Sequence, residues 1–324
     1  MQSDSSTAPR ASAPASGNVY RVGVDAGGTK TECIAIDDTG KIIARHLAPG
    51  CNPSVLGPVV ARQIATAAIE QLRTEVTAAN AGAIITHTHL YGAGNRAFWR
   101  ETGAALAGFG EVFTADDSHP VLELATHGQS GLVLHGGTGS FVAARTLDGA
   151  IHYAGGTGWR FGDPGSGYDL GRRAIQRALL ELQGWLPPSR LSPAVRAYTQ
   201  LADTADAAAL TRFFYYDAEP NRQIAGLAPT VLRLAGEGDA TAHDLVAASI
   251  GDLLALAQLV AAKLFSPGAL ARLPAGLSGP ILTHPVVVSL FAGRSPLAFI
   301  PCEGAPIEGV RRLLARATSA HRSP

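Results

Sequence analysis

Apolar residues recur along this chain with two periods, and the places where the period changes mark its elements. From Arg21, the segment RVGVDAGGTKTECIAIDDTGKIIARH carries β-rich runs broken by a Gly-Gly-Thr turn. It predicts a strand entering the turn, a second strand leaving it, an Asp-containing turn ending in glycine, and a third strand. From Ser130, SGLVLHGGTGSFVAARTLDGAIHYA repeats the same order, and 12 residues separate Gly28 from Gly40 just as they separate Gly137 from Gly149. Two such units about a hundred residues apart predict two similar domains, each presenting one tight turn toward a shared cleft. Glycines let the main chain approach an anion closely and aim successive N–H groups at it, while Thr29 and Thr138 add hydroxyl donors. Together the turns are a candidate phosphate clamp; the alternative for either alone is an ordinary hairpin.

Helical periodicity predicts helices over 56–79, 97–108, 169–185, 193–202 and 241–265, and strands over 83–91 and 111–115, the last running into Asp116. Residues 276–279 predict a glycine-containing turn before another helix. Strands first, then alternating helix and strand, in both halves, indicate an α/β fold with mixed sheets. The expected divisions are a disordered tail over 1–17, a first domain over 18–117, a second over 118–305, and a C-terminal helix and tail over 306–324.

At 324 residues the chain has room for two domains that each bury a core. With 26 basic against 26 acidic residues, nothing in the net balance favours nucleic acid or an anionic membrane as a partner. Cys33, Cys51 and Cys302 lie far apart, without a CxxC pair, so neither structural zinc nor an iron–sulfur site is suggested and a reducing cytoplasm fits best. Residues 1–17 lack the apolar core of a secretory signal. The stretch 253–265, interrupted by Gln258 and Lys263, is too short to cross a bilayer and reads as a buried helix.

With DAGGTKT at 25–31, HGGTGS at 135–140 and GDPGSGYDLG at 162–171, the sequence resembles the BadF/BadG-type ATPases, which include N-acetylglucosamine and glucosamine kinases. The likeness spans roughly 19–315. It implies two actin-like, ribonuclease-H-like domains with nucleotide between them, and a soluble cytoplasmic kinase that uses Mg²⁺ and ATP to phosphorylate an amino sugar, at the 6-hydroxyl, with dimers common among such proteins. Asp25, ending the first strand, is the candidate Mg²⁺ ligand. Gly27, Gly28 and Thr29 with Gly137, Thr138 and Gly139 are the phosphate turns, and Lys30 either offers charge to the phosphates or is a solvent-exposed hairpin lysine. Ser278 and Gly279 stand where the family holds adenosine.

Asp116 resembles the family's general base, with Asp117 as competitor and a helix N-cap as the alternative for either. Asn52 matches a sugar-binding asparagine, or is a turn former before Pro53. Asp163 resembles a second carboxylate that touches the sugar, with Gly165 and Ser166 shaping its loop. The chain departs from the common GDEGS by placing Pro164 where the glutamate stands, which removes a carboxylate and an N–H donor together. Trp159 offers an aromatic face to a sugar or packs in a core.

Rival readings are few. YGAGNRA at 91–97, with Asp116 about twenty residues on, imitates a dinucleotide fingerprint and hence a nicotinamide oxidoreductase, but leaves both Gly-Gly-Thr turns unexplained. The same ATPase family contains dehydratase and reductase activators, which need cluster cysteines that are missing here. A sugar sensor without catalysis is a third reading. His87 and His89 share one strand face, a metal pair without a third ligand that reads more readily as two structural histidines, and Arg172 and Arg173 read as cover for a helix surface.

Overall fold

The computed structural model describes residues 18–292 and 294–320. The tail expected over 1–17 and the end of the tail over 321–324 lie outside the described residues. The described residues divide into two compact units, the first comprising 18–116 and 310–320 and the second lying within 117–309.

Unit 1 begins with β1 (Val19–Ala26), β2 (Lys30–Ile36) and β3 (Ile42–Pro49), continues through α1 (Pro53–Leu56), α2 (Pro58–Ala79), β4 (Ile84–Gly92) and α3 (Arg96–Ala104), and reaches β5 (Glu111–Asp116). Its sheet has the order β3-β2-β1-β4-β5, with β1 antiparallel to β2, β2 antiparallel to β3, and β1, β4 and β5 parallel. Alternation along β1 sends Val22, Val24 and Ala26 to a core shared with Ala61, Ala65, Ile69 and Leu72 of α2, whose i, i+4, i+8, i+11 spacing makes one apolar stripe. The helix expected over 56–79 is broken at Gly57, whose φ of 77° leaves the α region just before Pro58 starts the second helix.

Unit 2 contains α4 (Ser118–Thr126), β6 (Gly131–Gly136), β7 (Ser140–Arg145), β8 (Ile151–Gly155), α5 (Gly167–Leu182), α6 (Leu191–Thr199), α7 (Ala207–Tyr215), α8 (Pro220–Ala225), α9 (Ala228–Gly236), α10 (Ala240–Leu264), β9 (Ala275–Ser278), α11 (Pro285–Phe291) and β10 (Phe299–Pro301). Read from β8, its sheet runs β8-β7-β6-β9-β10, the order of unit 1 over again, with the same antiparallel triplet and parallel pair. The duplication extends to hydrogen bonds. Gly40 N–H donates to Asp37 O at 3.1 Å and Gly149 N–H to Thr146 O at 3.0 Å, closing matching turns.

Leu132 and Leu134 face α5, α9 and α10 across the main core, while Val133, between them, packs with Val121 and Leu122 of α4. Truncating a side chain as fully buried as Leu134 to alanine costs about 2–5 kcal/mol. Among the described helices α10 is, by length and composition, long and apolar enough to cross a membrane. It matches the helix expected over 241–265 and buries Val246, Ile250, Leu253 and Ala257 in the core of unit 2. Residues 276–279 are not simply a turn: most belong to β9, and only Gly279, with φ of 86°, bends the chain.

The last helix, α12 (Pro306–Ala320), starts in unit 2 and ends in unit 1. From Val310 onward it lies on β1: a Cβ at Gly23 would meet Val310 Cγ1 at 2.5 Å and Leu314 Cδ1 at 2.6 Å. Buried Arg21 donates to Leu314 O at 2.8 Å and to Asp37 O at 2.7 Å, so one guanidinium ties helix and hairpin together.

Candidate active site

In unit 1, β1, β3, β4 and β5 run the same way, so their carboxyl ends gather on one edge of the sheet, the usual location of ligand-binding groups in open α/β sheets. Asp25 pairs across to Tyr91, and Gly92 pairs to Asp116, which sets both carboxylates on that edge. The turn 27–29 leaves β1 there, Asn52 follows β3, and Arg96 follows β4.

Asp25 is buried, and burial pushes its carboxyl up to about 7; Lys30 opposes this and Glu32 adds to it. Lys30 does not point its charge at the turn: its Nζ lies 2.6 Å from buried Glu32, which also has Arg45 at 3.3 Å. Cys51 N–H donates to Gly27 O at 3.1 Å and Gly50 N–H to Thr29 O at 3.2 Å, so the turn's carbonyls are engaged from β3's end. The Gly28 N–H has no hydrogen bond among the described residues, and a Cβ there would meet nothing within 4 Å. That is room for a phosphate.

Asn52 Oδ1 accepts from Ser54 N–H at 2.9 Å as the N-cap of α1, while its Nδ2 carries no hydrogen bond among the described residues. Its turn-forming role and an open donor therefore coexist. Gly94 lies against it: a Cβ there would meet Asn52 Oδ1 at 2.5 Å. Asp116 is buried and holds Arg96 Nη2 at 2.5 Å. Asp117 occupies the N-cap position of α4 but makes no side-chain cap. Arg96 was missed from sequence, since YGAGNRA drew attention for its glycines. Its signal is Asn95, which caps α3 through Ala97 N–H at 2.8 Å and thereby places the next side chain beside β5.

Unit 2 builds its own edge from the equivalent strand ends. The β6–β7 turn is half-buried; Gly167 N–H donates to Gly137 O at 2.8 Å and Tyr168 N–H to Thr138 O at 3.2 Å. The first amides of α5 thus hold the turn. Ser166 is fully buried and caps α5 through Asp169 N–H at 3.1 Å, and Gly165, at φ of 76°, packs on Leu253. Asp163 follows β8 as Asn52 follows β3. Its Oδ1 accepts from Gly158 N–H at 3.1 Å, and a Cβ on Gly139 would come within 2.7 Å of its Oδ2. Burial raises its carboxyl above the usual range, against the pull of hydrogen bonds from Gly158, Ser140 and Thr157. Ser278, at the end of β9, is 3.2 Å from His135 Nδ1, and burial lowers that histidine to about 4. Gly279 follows it on this edge.

One surface reading changes. Arg172 and Arg173 do not merely cover a helix: buried Asp169, one turn back, holds Arg172 Nη2 and Arg173 Nε, each at 2.8 Å. His89 bonds to Tyr91 at 3.1 Å, and among the described residues no cluster of three or more acidic, histidine or cysteine side chains forms a metal cage. Asp25 nevertheless fits Mg²⁺, which takes one or two carboxylates and completes its shell with waters and phosphate oxygens. A buried carboxylate held near 7 for want of counter-charge is the chemistry such a cation satisfies.

The profile described as the BadF/BadG/BcrA/BcrD ATPase family matches residues 22–268. The Clostridium acetobutylicum N-acetylmuramic acid/N-acetylglucosamine kinase is 27% identical over 135 residues, which span 42% of this chain and less than half, 43%, of that relative. The Dictyostelium discoideum N-acetyl-D-glucosamine kinase is 24% identical over 257 residues, 75% of this chain and 79% of that one. Among solved structures, a Chromobacterium violaceum protein with the working name N-acetylglucosamine kinase is 27% identical at a TM-score of 0.73, over 91% of this chain and 98% of that one. A ROK family glucokinase from Streptomyces griseus, solved with glucose and AMPPNP, shares the fold at 15% identity and a TM-score of 0.55, over 93% of this chain and 99% of that one.

Proposed function

Because the chain belongs to the BadF/BadG/BcrA/BcrD ATPase family, we propose that it is a sugar kinase that transfers the γ-phosphoryl group of ATP to the 6-hydroxyl of an amino sugar, N-acetylglucosamine or glucosamine. The observation that carries this reading is the pairing of buried Asp116 with Arg96 on the strand edge that also bears Asp25, the open Gly28 turn and the free amide of Asn52. The names of the relatives support the amino sugar.

Asp116 takes the proton of the attacking hydroxyl; a bond forms from that oxygen to the γ-phosphorus as the bond to the β–γ bridging oxygen breaks, and ADP leaves. Arg96 holds the carboxylate in place. Asn52 donates through Nδ2 to a ring hydroxyl. The Gly28 N–H faces phosphate oxygens, the Gly27 and Thr29 carbonyls beside it being engaged by Cys51 and Gly50, whereas the Gly137 N–H is already taken by Gly139 O at 2.9 Å. Asp25 would hold Mg²⁺, which supplies charge neutralisation to the phosphates. Ser278 and Gly279 would border the adenosine.

The test is ATP consumption by the full chain with Mg²⁺ and, in turn, N-acetylglucosamine, glucosamine, glucose, N-acetylmuramic acid and no sugar. Strong stimulation by an amino sugar is the expected result. ATP turnover that no sugar changes would sink the kinase reading.

A further inference from the structure

In unit 2 the ring of His135 lies between the two glycine turns of the strand edge. A Cβ on Gly137 would meet its Nε2 at 3.5 Å, and one on Gly279 would meet its Cε1 at 3.1 Å. Stacking fixes the ring: its centroid is 5.0 Å from that of Phe141, which lies 4.9 Å from Tyr153, so one side chain each from β6, β7 and β8 forms a ladder. Nδ1 is 3.2 Å from Ser278 Oγ, whereas Nε2 carries no hydrogen bond among the described residues. The side chain is half-buried, and its unbonded nitrogen is the one beside Gly137.

The duplication gives this position a meaning. His135 pairs with Phe141 one step before the last pair of its hairpin, Gly136 with Ser140, and Asp25 pairs with Glu32 one step before Ala26 with Thr31. By strand pairing His135 is therefore the unit 2 counterpart of Asp25. The chemistry differs: a carboxylate suits a cation, whereas a neutral imidazole offers one N–H to an anion. Burial lowers the pKa of His135 to about 4, so at neutral pH a single ring nitrogen carries the proton. An anionic oxygen at Nε2 selects the Nε2–H tautomer, in which Ser278 Oγ donates to Nδ1. Such a donor offsets the loss of the Gly137 amide, which Gly139 O takes at 2.9 Å.

We propose that His135 is a nucleotide-binding residue whose Nε2–H donates to a phosphate oxygen of ATP and ADP, with Ser278 as the positioning residue that sets its tautomer. The proposal rests on the ATP-dependent reading above and adds to it a donor supplied by unit 2 alone.

Calorimetry with Mg²⁺ and without sugar tests it on the full chain, titrating ADP and adenosine into the wild type, His135→Phe, His135→Gln and His135→Asn. Phenylalanine keeps the stack and removes both nitrogens. Glutamine restores an amide donor at the reach of Nε2, asparagine only at that of Nδ1. His135→Phe is expected to weaken ADP about 10- to 100-fold, the range for a hydrogen bond to a charged group, and to leave adenosine within about twofold. His135→Gln should recover most of the ADP affinity and His135→Asn little of it. Unchanged ADP affinity in His135→Phe overturns the proposal, and so does a wild type that binds no ADP. An equal loss for adenosine, or asparagine serving as well as glutamine, overturns it too, since either would mark a packing role. Because no turnover is read, a His135-dependent ADP affinity beside ATP turnover that no sugar changes would defeat only the kinase reading. Sugar-stimulated turnover beside ADP binding that ignores His135 would defeat only this assignment.

Discussion

In unit 1 the Gly-Gly-Thr turn lies open, with its Gly27 and Thr29 carbonyls taken by Cys51 and Gly50 from the end of β3. In unit 2 the matching turn is half-buried, and its Gly137 and Thr138 carbonyls are taken by the first amides of α5, while Asp163 closes over Gly139. The two segments share their sequence pattern and their place in the sheet. What differs is the element that follows each third strand. A short helix after β3 leaves the first turn braced by backbone alone. The long loop after β8 brings a helix start and a buried carboxylate onto the second. Duplicated hairpins therefore keep the same outline while their supports diverge.

The largest effect expected lies in unit 1. Asp116→Asn should lower sugar-dependent turnover by about 10²- to 10⁴-fold while thermal unfolding stays near that of the wild type; comparable turnover in the variant would remove Asp116 from the chemistry.

Next is Asp25. Its folded pKa of about 7 lies above the ordinary value of 3.8, so between those pH values the folded chain keeps a proton that the unfolded chain has lost. The contribution of this group is thus present at low pH and is lost as pH rises from about 4 to about 7, a change on the order of 4 kcal/mol at most. Urea midpoints in EDTA should show Asp25→Asn gaining on the wild type between pH 4.5 and pH 8. A constant difference would contradict the burial argument.

The two braces can be compared directly. A Cβ on Gly50 collides with the backbone carbonyl of Gly28, whereas one on Gly139 meets only the Asp163 side chain at 2.7 Å. Gly50→Ala should cost about 3 kcal/mol and Gly139→Ala about 1 kcal/mol in chemical unfolding. The reverse order would mean that the second turn is the more rigid. The smallest effect is expected for Lys30→Ala, under about 1 kcal/mol, because Lys30 is half exposed and Arg45 remains beside Glu32.

Local grammar made the hairpin triplets legible. Alternation over five to eight residues and a glycine turn are settled by neighbours in the chain, and the carboxyl-terminal placement of Asp25 and Asp116 follows from them. The helices α4, α7, α8 and α9 were not foreseen. Each is only six to nine residues long, too short for its periodicity to stand out, and packing against α5 and α10 or the sheet stabilises it. The partners of charged groups were hidden too, since Arg96 finds Asp116 across 20 residues and Arg21 finds Leu314 across 293.

By itself the sequence determined the duplicated β-hairpin units, the glycine turns and the family to which they belong, because these depend on short-range sterics and period. Only the tertiary structure decided that α12 returns to the first unit, that Asp163 braces a turn, and that Arg160 stacks on Trp159. Burial and ion pairing depend on which distant residues share a wall, and that is a property of the folded chain.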